Sequence, residues 1–152
     1  MNVESTSITL SDEQADIVKQ CENYNVVVDS GAGSGKTTVI LETVRKYNKQ
    51  IVLILTYNSR LKAETREKIK KYNLKNVECH SYHSFCVKYY NHKCFTDDKI
   101  KNLIEENSKA LKLFNFERII LDEAQDITEL YFKLINKIYF DNNNVNIKWL
   151  IV

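Results

Sequence analysis

Two groups of side chains in this sequence have the types and spacing to handle a nucleoside triphosphate. Gly31-Ala32-Gly33-Ser34-Gly35-Lys36-Thr37 gathers every glycine of the protein into one short run. Glycines let a backbone curl so that successive N–H groups point at phosphate oxygens, and a helix starting at the lysine adds the positive end of its dipole. Lys36 would then reach the β- and γ-phosphates and the Thr37 hydroxyl would ligate Mg²⁺, with Thr38 beside it in the first helical turn. Ser30 stands where the G-x-x-x-x-G-K-[ST] pattern has its first glycine. The second group is Asp122-Glu123. Phosphoryl transfer to water needs one carboxylate to hold the Mg²⁺ sphere and another to orient or deprotonate the water, roles that suit Asp122 and Glu123 in that order. The competing readings are a chance glycine turn before a helix, and acids at the start of a helix near Ile127 with Asp126 as its N-cap.

The surrounding pattern supplies the elements that must position these groups. Tyr24 to Val28 is a β-branched run that breaks into the glycines, and Val39, Ile40, Thr43, Val44 and Tyr47 then fall at helical spacing. Ile51 to Leu55 is a continuous apolar run suited to a strand buried on both faces, followed by Leu61, Thr65, Ile69 and Tyr72 on one helical stripe. Val77 to Cys79 predicts a short strand, Tyr82 to about Tyr90 a helix, and Ile100, Leu103, Ile104, Asn107 and Leu111 a further amphipathic helix. Arg118 to Leu121 predicts a strand that delivers Asp122 and Glu123 to its carboxyl edge, where ligands of open α/β sheets bind. Leu130, Tyr131, Leu134, Ile135 and Ile138 give a helix face, and Ile147 to Val152 a last strand. Strands alternating with helices predict one α/β domain over residues 1–152, a parallel sheet with helices on both faces.

With these residues in view, the chain resembles the first RecA-like domain of UvrD/Rep-type superfamily 1 helicases, including the F-box DNA helicase branch and its viral relatives. The likeness covers nearly the whole sequence. Gly31 to Thr37 resembles motif I of that family and Asp122-Glu123-Ala124-Gln125-Asp126 its motif II, while Leu10-Ser11-Asp12-Glu13-Gln14 is similar to the Q motif. The resemblance implies that Gln14 reads the adenine edge; Ser11-x-x-Gln14 is also a capping box, in which the amide would bond the Ser11 N–H instead. Thr56-Tyr57-Asn58 resembles motif Ia and Ser81-Tyr82-His83-Ser84-Phe85 motif Ib, both single-stranded DNA contacts in the family, so Tyr57, Asn58, Ser81, Tyr82 and His83 are the implied nucleic-acid residues. Tyr57 would stack a base. Its alternative is a strand-end residue packed under the next helix.

The resemblance thus implies a P-loop NTPase that uses ATP and Mg²⁺, binds single-stranded DNA and is completed by a second helicase half or partner chain. Only a few tens of residues separate Phe85 from Asp122, where family members generally insert a sizeable accessory subdomain. The run Lys148 to Val152 resembles the lead-in to motif III, and motif III itself and motifs IV to VI are not in the sequence, which therefore reads as a fragment of such an enzyme. A non-catalytic remnant or interaction module that keeps the fold is the alternative. A small P-loop kinase or GTPase is disfavoured, because no guanine-reading N-K-x-D motif is present.

Composition sets the outer bounds. The 152 residues suffice for one core, and a net charge of +2 gives no argument for nucleic-acid or membrane binding from bulk charge. Hydrophobic content of 43% against 28% charged is that of a globular rather than a disordered chain. No run approaches a membrane span and residues 1–6 lack the pattern of a signal peptide, so the expectation is an intracellular protein, cytoplasmic, nuclear or at a viral factory. Cys21, Cys79, Cys86 and Cys94 form no C-x-x-C pair and read as free thiols; with His80, His83 and His92 they match no familiar zinc spacing. Lys62, Arg66, Lys68, Lys70 and Lys71 read as a solvated helix face interspersed with Glu64 and Glu67, with phosphate contact as the alternative.

Overall fold

A computed structural model describes residues 8–29 and 35–152. Five strands, β1 (Val26–Val27), β2 (Val52–Thr56), β3 (Val77–Ser81), β4 (Arg118–Leu121) and β5 (Lys148–Ile151), form one sheet in the order β1-β5-β4-β2-β3, every pairing parallel. Six helices accompany them: α1 (Asp12–Gln20), α2 (Lys36–Lys46), α3 (Ser59–Lys71), α4 (Tyr82–Tyr89), α5 (Asp97–Glu105) and α6 (Glu129–Asp141). The expected α/β class is what the structure has.

The central strands are apolar at consecutive positions because both faces are covered. Alternation survives inside them: Leu53, Leu55, Ile119 and Leu121 face one cluster with Phe85, Phe116, Leu134 and Ile138, whereas Val52, Ile54, Ile120 and Leu150 face another with Val18, Ile40 and Val44. Each fully buried aliphatic side chain contributes about 1.5–3 kcal/mol, so β2 and β4 anchor the sheet from which the site projects. At the opposite edge Arg118 is wholly buried; it donates to the Cys21 carbonyl at 2.8 Å and the Gln50 amide oxygen at 2.9 Å, and its guanidinium lies 4.7 Å from the Tyr47 ring centre. Tyr47 in turn donates to the Val18 carbonyl at 2.8 Å. These contacts tie α1 to the foot of α2.

Strand ends shift by one or two residues, and two helix boundaries differ from the periodicity. The helix expected to run on to Leu111 ends at Glu105, because Asn107 takes a left-handed conformation (φ 47°) and Ser108 and Asn107 donate back to the Leu103 and Ile104 carbonyls. That paired closure ends a helix whatever the apolar spacing beyond it, and Leu111 is left 56% exposed. The helix expected to start near Ile127 starts at Glu129; Asp126 lies in a single 3₁₀ turn, Ala124–Asp126, and the N-cap is Thr128, whose hydroxyl accepts from the Tyr131 N–H. Asp126 is therefore not the cap.

Candidate functional site

An open cleft of about 860 Å³ lies across the carboxyl ends of β1, β5 and β4. Gly35, Lys36, Thr37 and Thr38 line one wall, Glu123, Ala124 and Gln125 another, and the ends of β1 and β5 the floor. The first turn of α2 is thus aimed at the acids that follow β4. Gly31, Ala32, Gly33 and Ser34 lie outside the described residues.

Gly35 precedes α2 in a left-handed conformation (φ 78°), and a Cβ there would stand 2.2 Å from the Gln14 side-chain nitrogen. The left-handed backbone favours glycine; the close approach would only push aside the end of the flexible Gln14 side chain. Gln14 makes the capping box: its Oε1 accepts from the Ser11 N–H at 2.9 Å and the Ser11 hydroxyl accepts from the Gln14 N–H at 3.2 Å. Its Nε2 is left to donate to the Gly35 carbonyl at 3.4 Å. The capping geometry and the approach to the glycine loop therefore coexist in one side chain.

Asp122 continues β4 through its N–H, which donates to the Leu55 carbonyl at 2.9 Å, and its carboxylate accepts from the Glu123 N–H at 2.9 Å. It is 6% exposed. Burial and the adjacent Glu123 charge push its pKa up, against the smaller pull of the Glu123 N–H and Lys36. Its site is thus short of positive charge, and its hard oxygen donors with the Thr37 hydroxyl are those a Mg²⁺ ion takes, so the residues present fit that ion. Glu123 sits at φ 54°, a left-handed conformation uncommon for a residue with a side chain, and its carboxylate accepts from the Gln125 amide. Ala124 donates to the Val152 carbonyl at 2.9 Å, stitching this turn to the strand beside it. Gln125, named in the sequence only as part of the motif II resemblance, and Lys68, named only within a basic run, also line the cleft. Lys68 lies in the last turn of α3, inside a charged run that gives no signal for one lysine over its neighbours.

The residues expected to meet a single strand divide. Tyr57 is 40% exposed at the end of β2, its ring edge-on to Tyr131 at 6.4 Å. His83 has a partly exposed side chain whose Nε2 lies 2.8 Å from an Asp97 carboxylate oxygen. Asn58 is the N-cap of α3, accepting from the Leu61 N–H at 3.0 Å. Ser81 is 4% exposed and caps α4 by accepting from the Ser84 N–H at 3.2 Å. Tyr82 is 1% exposed and stacks on Tyr131 with ring centres 4.5 Å apart, so as placed it is a core residue and not a surface for a base. The reason is local: at the first position of α4 the Tyr82 side chain leads inward, while that of His83 leads outward.

Cys21 lies at the end of α1 and Cys79 on β3, while Cys86 on α4 and Cys94 in the loop that follows adjoin each other; all four are buried free thiols. Burial pushes the Cys79 thiol up to about 12. Among the described residues no three His, Cys, Asp or Glu side chains converge to hold a metal. Arg66 donates to the Cys79 carbonyl at 2.8 Å and contacts the His80 ring, while Arg60 pairs with Glu64, so α3's basic side chains are partly spent within the fold. No described helix is long and apolar enough to cross a membrane.

Comparison with known proteins matches residues 14–148 to the family model described as an AAA domain. Among curated proteins the chain is similar to a probable DNA helicase II homolog of Mycoplasma pneumoniae, 28% identical over 156 residues that take in 93% of this chain and 20% of that protein. It is also similar to a probable DNA helicase of the same organism, 29% identical over 136 residues, 83% of this chain and 24% of the relative. The chain therefore spans about a fifth to a quarter of the length of these relatives.

Proposed function

The chain belongs to the AAA-domain family as an N-terminal helicase domain of the UvrD/Rep type, and from that premise we propose that it binds ATP–Mg²⁺ in the cleft at the head of α2 and single-stranded DNA over Tyr57 and His83. The observation that carries the nucleotide half is the meeting of Gly35, Lys36 and Thr37 with Glu123 around one cleft; Asp122, the residue before Glu123, is buried and not part of the cleft's lining. Lys36 neutralises the β- and γ-phosphates; Thr37 and Asp122 would hold Mg²⁺, which screens charge building on the transferred phosphoryl group. Glu123 orients the attacking water and takes its proton.

The same geometry predicts slow turnover by this chain. Its four arginines are Arg45, Arg60, Arg66 and Arg118. Arg45 pairs with Glu42, Arg60 with Glu64, Arg66 is bonded to β3, and Arg118 is buried at the amino end of the central strand β4. None lines the cleft. An arginine placed on the γ-phosphate contributes about 10³–10⁵ in rate, so hydrolysis coupled to unwinding falls to a second helicase half or partner chain. Steady-state ATPase over a range of protein concentrations tests this. Slow turnover, lost in Glu123→Gln, is expected; concentration-independent, DNA-stimulated turnover of about 1 per second or more would contradict the half-site reading.

A further inference from the structure

The Tyr57 and His83 side chains do not stand alone at the head of β2 and β3. Tyr131, from the first turns of α6, backs them both: its ring meets Tyr57 edge-on at 6.4 Å, His83 edge-on at 5.9 Å and Tyr82 in a stack at 4.5 Å. Asp97 closes the group, one carboxylate oxygen lying 2.8 Å from His83 Nε2 and accepting from the Tyr131 hydroxyl at 2.9 Å. Asp97 is the first residue of α5, whose start is fixed by Thr96, the hydroxyl of which accepts from the Lys99 N–H at 3.3 Å. Both contacts converge on one Asp97 oxygen, and a carboxylate oxygen accepts hydrogen bonds. His83 therefore carries its proton on Nε2.

We propose that Asp97 is a positioning residue for the strand-binding face: by bonding His83 and Tyr131 together it holds the imidazole in one tautomer and one orientation beside the exposed Tyr57 ring. The role rests on the single-strand reading above. Three helices meet at this carboxylate, so the side chains that would touch a base or phosphate are ordered before the strand arrives, and less conformational freedom is lost on binding. Nδ1 of His83 is left to engage the strand.

Side-chain nitrogen NMR of the full chain, with fluorescence anisotropy of a labelled oligothymidine at low salt, tests the assignment. Asp97→Ala is expected to shift His83 from the Nε2–H tautomer to a mixture and weaken oligothymidine binding about fivefold, the effect of one lost orienting hydrogen bond. Tyr131→Phe, which keeps the ring and the His83 bond, leaves the tautomer unchanged. Because Asp97 acts through His83, the Asp97→Ala/His83→Ala double variant binds no more weakly than His83→Ala alone. An unchanged tautomer in Asp97→Ala, or losses that add in the double variant, would overturn the role of Asp97 while leaving strand binding intact. Absence of oligothymidine binding by the wild-type chain would overturn the single-strand reading and the role with it.

Discussion

Asp122, the proposed Mg²⁺ ligand, works against the fold that holds it. Its carboxylate is buried beside Glu123, and its pKa is raised by burial first and by that neighbour second. A carboxylic acid whose folded pKa lies above its unfolded value favours folding only while protonated; stability is lost as pH rises from the ordinary carboxylate range through the raised value. Asp122→Asn removes the charge and keeps the shape, so at neutral pH the variant should melt above the wild type, with the difference closing as pH falls below 4. The same variant should lose the added stabilisation that Mg²⁺ gives with ATP. A lower melting temperature for Asp122→Asn at pH 7 would show that the carboxylate is held by contacts that favour its charge. Tyr82 is the converse case. Its likeness to a strand-contacting motif was legible, but burial of its ring against Tyr131 belongs to tertiary packing and leaves no mark in the spacing.

At the scale of elements, β3 is the sheet edge and is defended by charge. Glu78 on this strand is subject to burial, which raises its pKa, but bonds from His80, Lys88 and Tyr89 outweigh that and hold it down to about 2. Burial keeps His80 below its ordinary value, hence neutral near pH 7. A depressed carboxylate pKa stabilises the fold above the unfolded value, and that stability drains away as pH falls from about 4.5 toward about 2. Glu78→Gln should therefore cost on the order of 1–3 kcal/mol at neutral pH and little near pH 2, measured by denaturant unfolding across that window. Equal destabilisation at both ends would assign the effect to shape. Most elements were readable from periodicity, since β2 and β4 hold the consecutive apolar residues Val52 to Leu55 and Ile119 to Leu121, and α3 and α6 carry clear stripes. The end of α5 was not, because Asn107 and Leu111 continue the helical spacing while the backbone turns at Asn107. Nor was the meeting of Asp97 with His83, residues 14 apart on different helices, which only the packing of α4, α5 and α6 creates.

Across the whole molecule, the sheet order places β1 and β4 on either side of β5, and this converts two distant stretches of sequence into one cleft. Sequence types named both walls; the strand order that sets them facing each other is a property of the fold. The central claim is that this cleft binds ATP–Mg²⁺ through Lys36, and thermal melting of the wild-type chain and Lys36→Ala, each with and without ATP and Mg²⁺, tests it most directly. A ligand at about 100 times its Kd stabilises the folded state by about 2.7 kcal/mol, worth roughly 5–10 °C for a domain of this size. The wild type should show that rise, and Lys36→Ala, folded by circular dichroism, should show none. No rise in the wild type, or an equal rise in Lys36→Ala, would contradict the account.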